Sequence, residues 1–148
     1  MPIVEQISKD ILTAMKAKDA QRLSALRMVK TALKLRETEL PGGVDDLEAV
    51  RILNTLVKQR REATEAFRAG GREEMALKEE AEAQIIQEYL PAAASPADMM
   101  SAIESAIAET GASSSKDMGL VMKAARANLA GKNIDGKALS DIVKAKLS

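Results

Sequence analysis

Apolar residues recur every three or four positions along almost the whole chain, in runs separated by glycine, proline or short polar stretches. That period is the signature of amphipathic helices. Ile3, Val4, Ile7, Ile11 and Met15 trace one face of a first helix. Asp19 is placed to cap a second, whose Leu23, Leu26, Val29 and Leu33 share a face. Leu40-Pro41-Gly42-Gly43 ends it. Asp45 or Asp46 opens a third, with Val50, Leu53, Val57 and Phe67 on its apolar side and Gly70-Gly71 at its close. A fourth runs from about Arg72 to Leu90, with Leu77, Ala81, Ile85 and Tyr89 in i, i+4 steps.

A joint follows. Leu90-Pro91 stops the fourth helix, and Ala92-Ala93-Ala94-Ser95-Pro96 reads as a short linker without an apolar face. Ser95-Pro96-Ala97-Asp98 has the form of a helix start, with Ser as cap, Pro in the first turn and an acid three residues on. The fifth helix carries Met99, Ile103 and Ile107 and ends at Gly111. After a loop at Ser113-Ser114-Ser115 a sixth runs from about Lys116 to Leu129 and stops at Gly131. Asp135 caps a seventh, which carries Leu139, Ile142, Val143 and Leu147. No alternating run of β-branched or aromatic residues marks a strand. The expected class is all-α, with a four-helix domain over residues 1–91 and a three-helix domain over residues 96–148. The second is near the lower size limit for a core that folds alone, so it is expected to lean on the first or on a partner.

Composition narrows the chemistry by exclusion. The chain has no Cys and no His, which removes disulfides, thiolate nucleophiles, zinc–thiolate sites and any histidine general base. Trp is absent and the aromatic residues are one Tyr and one Phe, too few for a base-stacking platform. Tyr89, just before Leu90-Pro91, reads as a core or hinge residue. No catalytic residue, cofactor or metal site is assigned. No apolar run reaches the length of a membrane span, and the first residues, MPIVEQISKD, lack the regions of a signal peptide. A soluble cytoplasmic protein is expected.

The charge is unevenly placed. Lys plus Arg and Asp plus Glu are 22 each, yet residues 1–115 hold 15 basic and 19 acidic groups, and residues 116–148 hold 7 and 3. On the sixth helix Met118, Val121, Met122, Ala125 and Leu129 fall within an arc of about 100°, while Lys116, Gly119, Lys123 and Arg126 occupy the opposite side within about 80°. A bare backbone at Gly119 between cations lets a negatively charged partner come close. The following loop, Gly131-Lys132-Asn133-Ile134-Asp135-Gly136-Lys137, leads to a helix start, where backbone N–H groups attract phosphate. Lys116, Gly119, Lys123, Arg126, Lys132 and Lys137 are therefore the candidate nucleic-acid-binding residues. The ordinary alternative is a solvated face, and on pattern alone it is the stronger; Gly119 and Gly136 would then serve a close helix crossing and a turn with positive φ. On the third helix Arg60 projects into the arc of Leu53, Leu56 and Phe67, which favours an internal ion pair with Glu37, Glu39 or Glu65 over an anion site beside Arg27 and Lys30. Glu79, Glu80 and Glu82 read as a solvated helical face.

Several blocks, in order, resemble the GatB/YqeY-domain family. They are Leu26-Arg27-Met28-Val29-Lys30, Val57-Lys58-Gln59-Arg60-Arg61-Glu62, Phe67-Arg68-Ala69-Gly70-Gly71-Arg72, Glu88-Tyr89-Leu90-Pro91, Asp117-Met118-Gly119-Leu120-Val121-Met122-Lys123, and Gly131-Lys132 followed by Asp135-Gly136. Gly71 extends the family's usual turn, and Ala92-Ala93-Ala94 replaces a polar stretch. The resemblance implies a helical N-terminal domain and a three-helix tail like the one that ends the B subunit of tRNA-dependent amidotransferases. There the tail is linked to tRNA engagement, and the kinase and transamidation chemistry belongs to a catalytic domain that this chain lacks. It also implies a place in translation, with tRNA as partner and a tRNA synthetase or amidotransferase as a possible dock for an adaptor. The activity associated with the family by inheritance is carbon–nitrogen ligation with glutamine as amide donor.

Overall fold

The computed structural model describes all 148 residues and is all-helical. Seven α-helices follow in order: α1 (Ile3–Ala17), α2 (Ala20–Glu39), α3 (Asp46–Ala69), α4 (Glu73–Gln87), α5 (Pro96–Thr110), α6 (Met118–Asn128) and α7 (Gly136–Leu147). A single tight turn, Ser115–Asp117, precedes α6. The chain divides into two compact units, Met1–Leu90 and Pro91–Ser148.

In the first unit Ile7 and Ile11 of α1 close on Leu26, Val29 and Leu33 of α2, Leu53 and Val57 of α3 and Ile86 of α4. Local capping sets the helix starts. The Asp19 carboxylate accepts from the Arg22 N–H at 3.1 Å, and Asp45 accepts from the Glu48 N–H at 2.9 Å. Asp46 instead accepts from the Ile3 N–H at 2.9 Å, which fastens the start of α1 to the start of α3. Met15, expected on the buried face of α1, is 48% exposed, because Ala14 takes the inward position beside Ile7 and Ile11.

Helix α4 is turned from its expected face. Leu77 is 54% exposed, and the buried row is Ala76, Ala83 and Ile86. The small side chains let α4 lie closely along α3, with which it packs more extensively than any other pair of helices. This rotation carries Glu79 and Glu82 inward. Arg60 Nε stands 3.2 Å from a Glu82 oxygen and 3.6 Å from a Glu79 oxygen, with all three side chains largely covered. The expected ion pair on α3 thus exists with different partners, and Glu79 and Glu82 are not a solvated face. Arg60 Nη2 also reaches Met28 Sδ of α2. Arg27 and Lys30 do not join it in an anion site. Glu80, more exposed, pairs with Arg68.

Helix α4 ends at Gln87, three residues before Leu90. Tyr89 and Leu90 continue as tight turns, their N–H groups donating to the carbonyls of Ile86 and Gln87, because the residue before Pro91 is barred from the helix. The Tyr89 hydroxyl donates to Asp10 at 2.5 Å, and Gln6 donates to the other Asp10 oxygen at 2.8 Å. Burial, together with Asp10, holds the Tyr89 hydroxyl well above its ordinary pKa, so it stays a donor.

The second unit packs Met99, Ala102, Ile103 and Ala106 of α5 against Val121, Ala125 and Leu129 and against Leu139, Val143 and Leu147 of α7. A reciprocal cap starts α5: Ser95 Oγ accepts from the Asp98 N–H and Asp98 accepts from the Ser95 N–H, both at 3.0 Å. Residues 92–94, expected as a free linker, belong to this unit. The Ala94 N–H donates to the Asn133 carbonyl and the Asn133 N–H to the Ala92 carbonyl, each at 2.8 Å, forming a one-residue parallel bridge.

Candidate nucleic-acid interface

The packing of α6 decides which of its side chains face out. Val121 and Ala125 are fully buried and Met118 and Met122 pack against the same core, so the opposite side carrying Gly119, Lys123 and Arg126 is exposed. Lys116 lies exposed in the tight turn before the helix. Nothing approaches within 4 Å of where a Cβ on Gly119 would stand. No helix crosses there and its φ is ordinary. The glycine therefore leaves open backbone beside the cations without any packing need, at a helix-propensity cost of up to about 1 kcal/mol against alanine.

Arg126 reaches across to the start of α7. Its Nη2 lies 3.0 Å from the place a Cβ on Gly136 would occupy, so the missing side chain makes room for the guanidinium. Gly136 does not have the positive φ expected of it; the turn there is made by Gly131, at φ +89°. Lys137 is exposed at the same helix start. The N–H groups of that start are less open than the sequence implies. The Asp135 carboxylate already accepts from the Lys137 and Ala138 N–H groups, at 3.1 and 3.2 Å. What this end of α7 offers an anion is therefore side-chain charge and not open backbone N–H groups.

Lys132 differs from the other candidates. Its Nζ sits 2.8 Å from Asp98, the acid that also caps α5. Lys132 first and Ser95 second hold the Asp98 carboxyl down at about 2. This lysine fastens the α6–α7 loop to the start of α5, and its charge is matched. Lys146 is paired with Glu104 at 3.4 Å. Lys116, Lys123, Arg126 and Lys137 have no such acid, so the structure leaves four of the five candidate cations unmatched. Sequence reasoning passed over Leu120, 59% exposed on α6 next to Gly119; the helical wheel, which puts it about 100° round from the glycine, contained the signal.

No group of three Asp or Glu side chains is arranged to hold a metal ion. The grooves are shallow, one of about 410 Å3 being lined by Asp98, Ser101, Glu109 and Lys132 among others. No helix is long and apolar enough to cross a membrane.

An all-helical chain with a cationic face on its small second unit is thus the class that fold and site define. The family model described as Yqey-like protein matches residues 4–147, and the chain belongs to that family. An uncharacterized protein of Schizosaccharomyces pombe is 30% identical over 89 residues, covering 60% of this chain and 72% of its own length. The protein called altered inheritance of mitochondria protein 41, mitochondrial, from Saccharomyces cerevisiae is 31% identical over 88 residues, which are 59% of this chain and 48% of that one. Its counterpart in Lachancea thermotolerans is equally similar, with 47% of its length covered. The chain spans about half the length of these two mitochondrial relatives.

Proposed function

We propose that the protein is a tRNA-binding accessory module, related to the tail of tRNA-dependent amidotransferases, that grips the phosphate backbone through its second unit. The observation that carries this reading is the set of exposed, unmatched cations Lys116, Lys123, Arg126 and Lys137 around the open backbone of Gly119. Lys123 and Arg126 are three apart on one helix face and repel each other; a polyanion relieves that repulsion. Four phosphate contacts correspond to a slope of log affinity against log salt of roughly −3 to −4. Filter binding of total tRNA across several salt concentrations tests this. Lys123→Gln with Arg126→Gln flattens the slope by about 2 and leaves the melting temperature unchanged; an unaltered slope removes the assigned face. The cytoplasm is the compartment proposed, and cell fractionation checks it, since two relatives carry a mitochondrial designation in their names.

A second reading, an adaptor docking on a tRNA synthetase or amidotransferase, draws on the exposed Leu120. Leu120→Ser would then abolish recovery of a protein partner after nuclease treatment while leaving the tRNA titration as it was.

A further inference from the structure

The first unit carries a second cationic face, on α2. This helix has five basic residues, and the structure sorts them by direction. Arg22, near the start, is held by Glu88 at 2.8 Å, and Arg36, near the end, by Glu39 at 2.7 Å and Glu48 at 2.8 Å. Between them Arg27, Lys30 and Lys34 project within an arc of about 60° that flanks the buried row of Ala25, Leu26, Val29 and Leu33, Lys30 standing only about 40° from Leu26. None of the three has an acid within ion-pairing distance. Arg27 and Lys34 are exposed, and Lys30 is half-covered. Lys30 and Lys34 wall a groove of about 270 Å3 against Val4 and Ser8 of α1, and Glu37, the one acid on its rim, forms no ion pair with either lysine.

The spacing is unfavourable for a helix left to itself. Arg27 and Lys30 are three apart and Lys30 and Lys34 four apart, so neighbours on the face are like-charged. The surroundings are net basic all the same: residues 1–37 contain eight basic and four acidic groups, the fourth acid being Glu37 at the end of the stripe. Two of those acids are engaged locally, Asp10 by Tyr89 and Asp19 as the cap of α2. The stripe runs about 10 Å from Arg27 to Lys34, long enough to meet more than one phosphate of a polyanion's backbone. Thr31 and Ser24, both polar, adjoin the stripe on its outer side.

We infer that Arg27, Lys30 and Lys34 form a second RNA-backbone face, so that tRNA is held by the first unit as well as the second. The identity of the polyanion rests on the reading given under the proposed function; the existence of the stripe does not. RNA is favoured over an anionic membrane because the one large apolar residue within the arc, Leu23, is packed against the core, and the exposed Leu35 stands about 80° outside it, so no apolar wedge is offered between the cations.

The test uses the full-length protein. Arg27→Gln, Lys30→Gln and Lys34→Gln are introduced together, and filter binding of total tRNA is repeated across salt concentrations. With seven contacts in place of four the unaltered protein has a slope of roughly −5 to −6, and the variant's is less negative by about 2 to 3, while helicity and melting temperature stay the same. The charge-preserving set Arg27→Lys, Lys30→Arg and Lys34→Arg keeps the original slope. An unaltered slope in the glutamine variant overturns the inference. So does a protein that sediments with phosphatidylserine-containing vesicles through these three residues while its tRNA slope is unaffected by their loss. The Lys123→Gln/Arg126→Gln protein run alongside separates the two faces: a slope that changes there but not in the α2 variant sinks only the second face, and the reverse sinks only the first. An unaltered protein that binds no tRNA overturns both.

Discussion

In the first unit five arginines are engaged by carboxylates: Arg22 by Glu88, Arg36 by Glu39 and Glu48, Arg51 by Glu48, Arg60 by Glu79 and Glu82, and Arg68 by Glu73 and Glu80. In the second unit the one arginine, Arg126, has no acid at all, and two lysine pairs are the only bridges. The contrast shows two uses of the same charged residues. Across α3 and α4 they join helices whose shared surface is lined by alanines. On α6 and α7 the core does most of the holding, with Lys132 and Lys146 fastened to α5, and the remaining charge is left outward. Formal neutrality of the whole chain conceals this division.

The largest expected effect probes the unit that depends most on its apolar core. Leu139→Ala, at a fully buried site, costs about 2–5 kcal/mol. A unit spanning Pro91–Ser148 has a stability of only about 3–9 kcal/mol by its size. Hydrogen exchange would show protection lost in α5–α7 and retained in α1–α4; uniform loss would break the contrast.

Next comes Arg60→Ala, which leaves Glu79 and Glu82 side by side and mostly covered. The expected loss is about 2–3 kcal/mol, below the value for a fully buried pair. A urea midpoint that does not move would show the pair to be dispensable. A smaller effect concerns acid. Because Lys132 depresses Asp98 to about 2, this contact stabilises the fold above the ordinary aspartate pKa of about 3.9 and is lost as pH falls from there through about 2. The melting temperature of Asp98→Asn should therefore converge on that of the unaltered protein as pH is lowered through this window. The smallest effect is at Gly119: alanine there should gain up to about 1 kcal/mol of stability in a urea titration and, on the proposed function, weaken tRNA retention in the filter assay, a pairing of signs that a packing glycine would not give.

How much of this could be read in the sequence depended on whether the signal was local. Caps are local, and Asp19, Asp45, Ser95 and Asp135 all start the helices assigned to them. The all-helical class followed from a period that persists through every segment. The face of α4 was not local. Two rows compete there, Leu77-Ala81-Ile85-Tyr89 and Ala76-Ala83-Ile86, and only the approach of α3 selects the smaller one. Misreading that row also hid the partners of Arg60. For the candidate interface, the outward direction of Lys123 and Arg126 was legible from the wheel. The capture of Lys132 by Asp98, 34 residues away, was not. The stripe on α2 was hidden in the same way: its cations look like any exposed lysines until the pairing of Arg22 and Arg36 shows which of them stay unmatched.

One contact also makes the molecule easy to follow by light. Tyr89 is the single tyrosine of a chain without tryptophan, so near-ultraviolet emission comes from that ring alone. A phenol hydrogen-bonded to a carboxylate, as Tyr89 is to Asp10, fluoresces weakly and brightens when the bond opens. Residues 91–148 contain no aromatic ring and are dark to this signal. Fluorescence thus times the parting of α1 from the end of α4, while circular dichroism records all seven helices. Any delay between the two traces in one melting experiment separates the unfolding of one half from the other without a label.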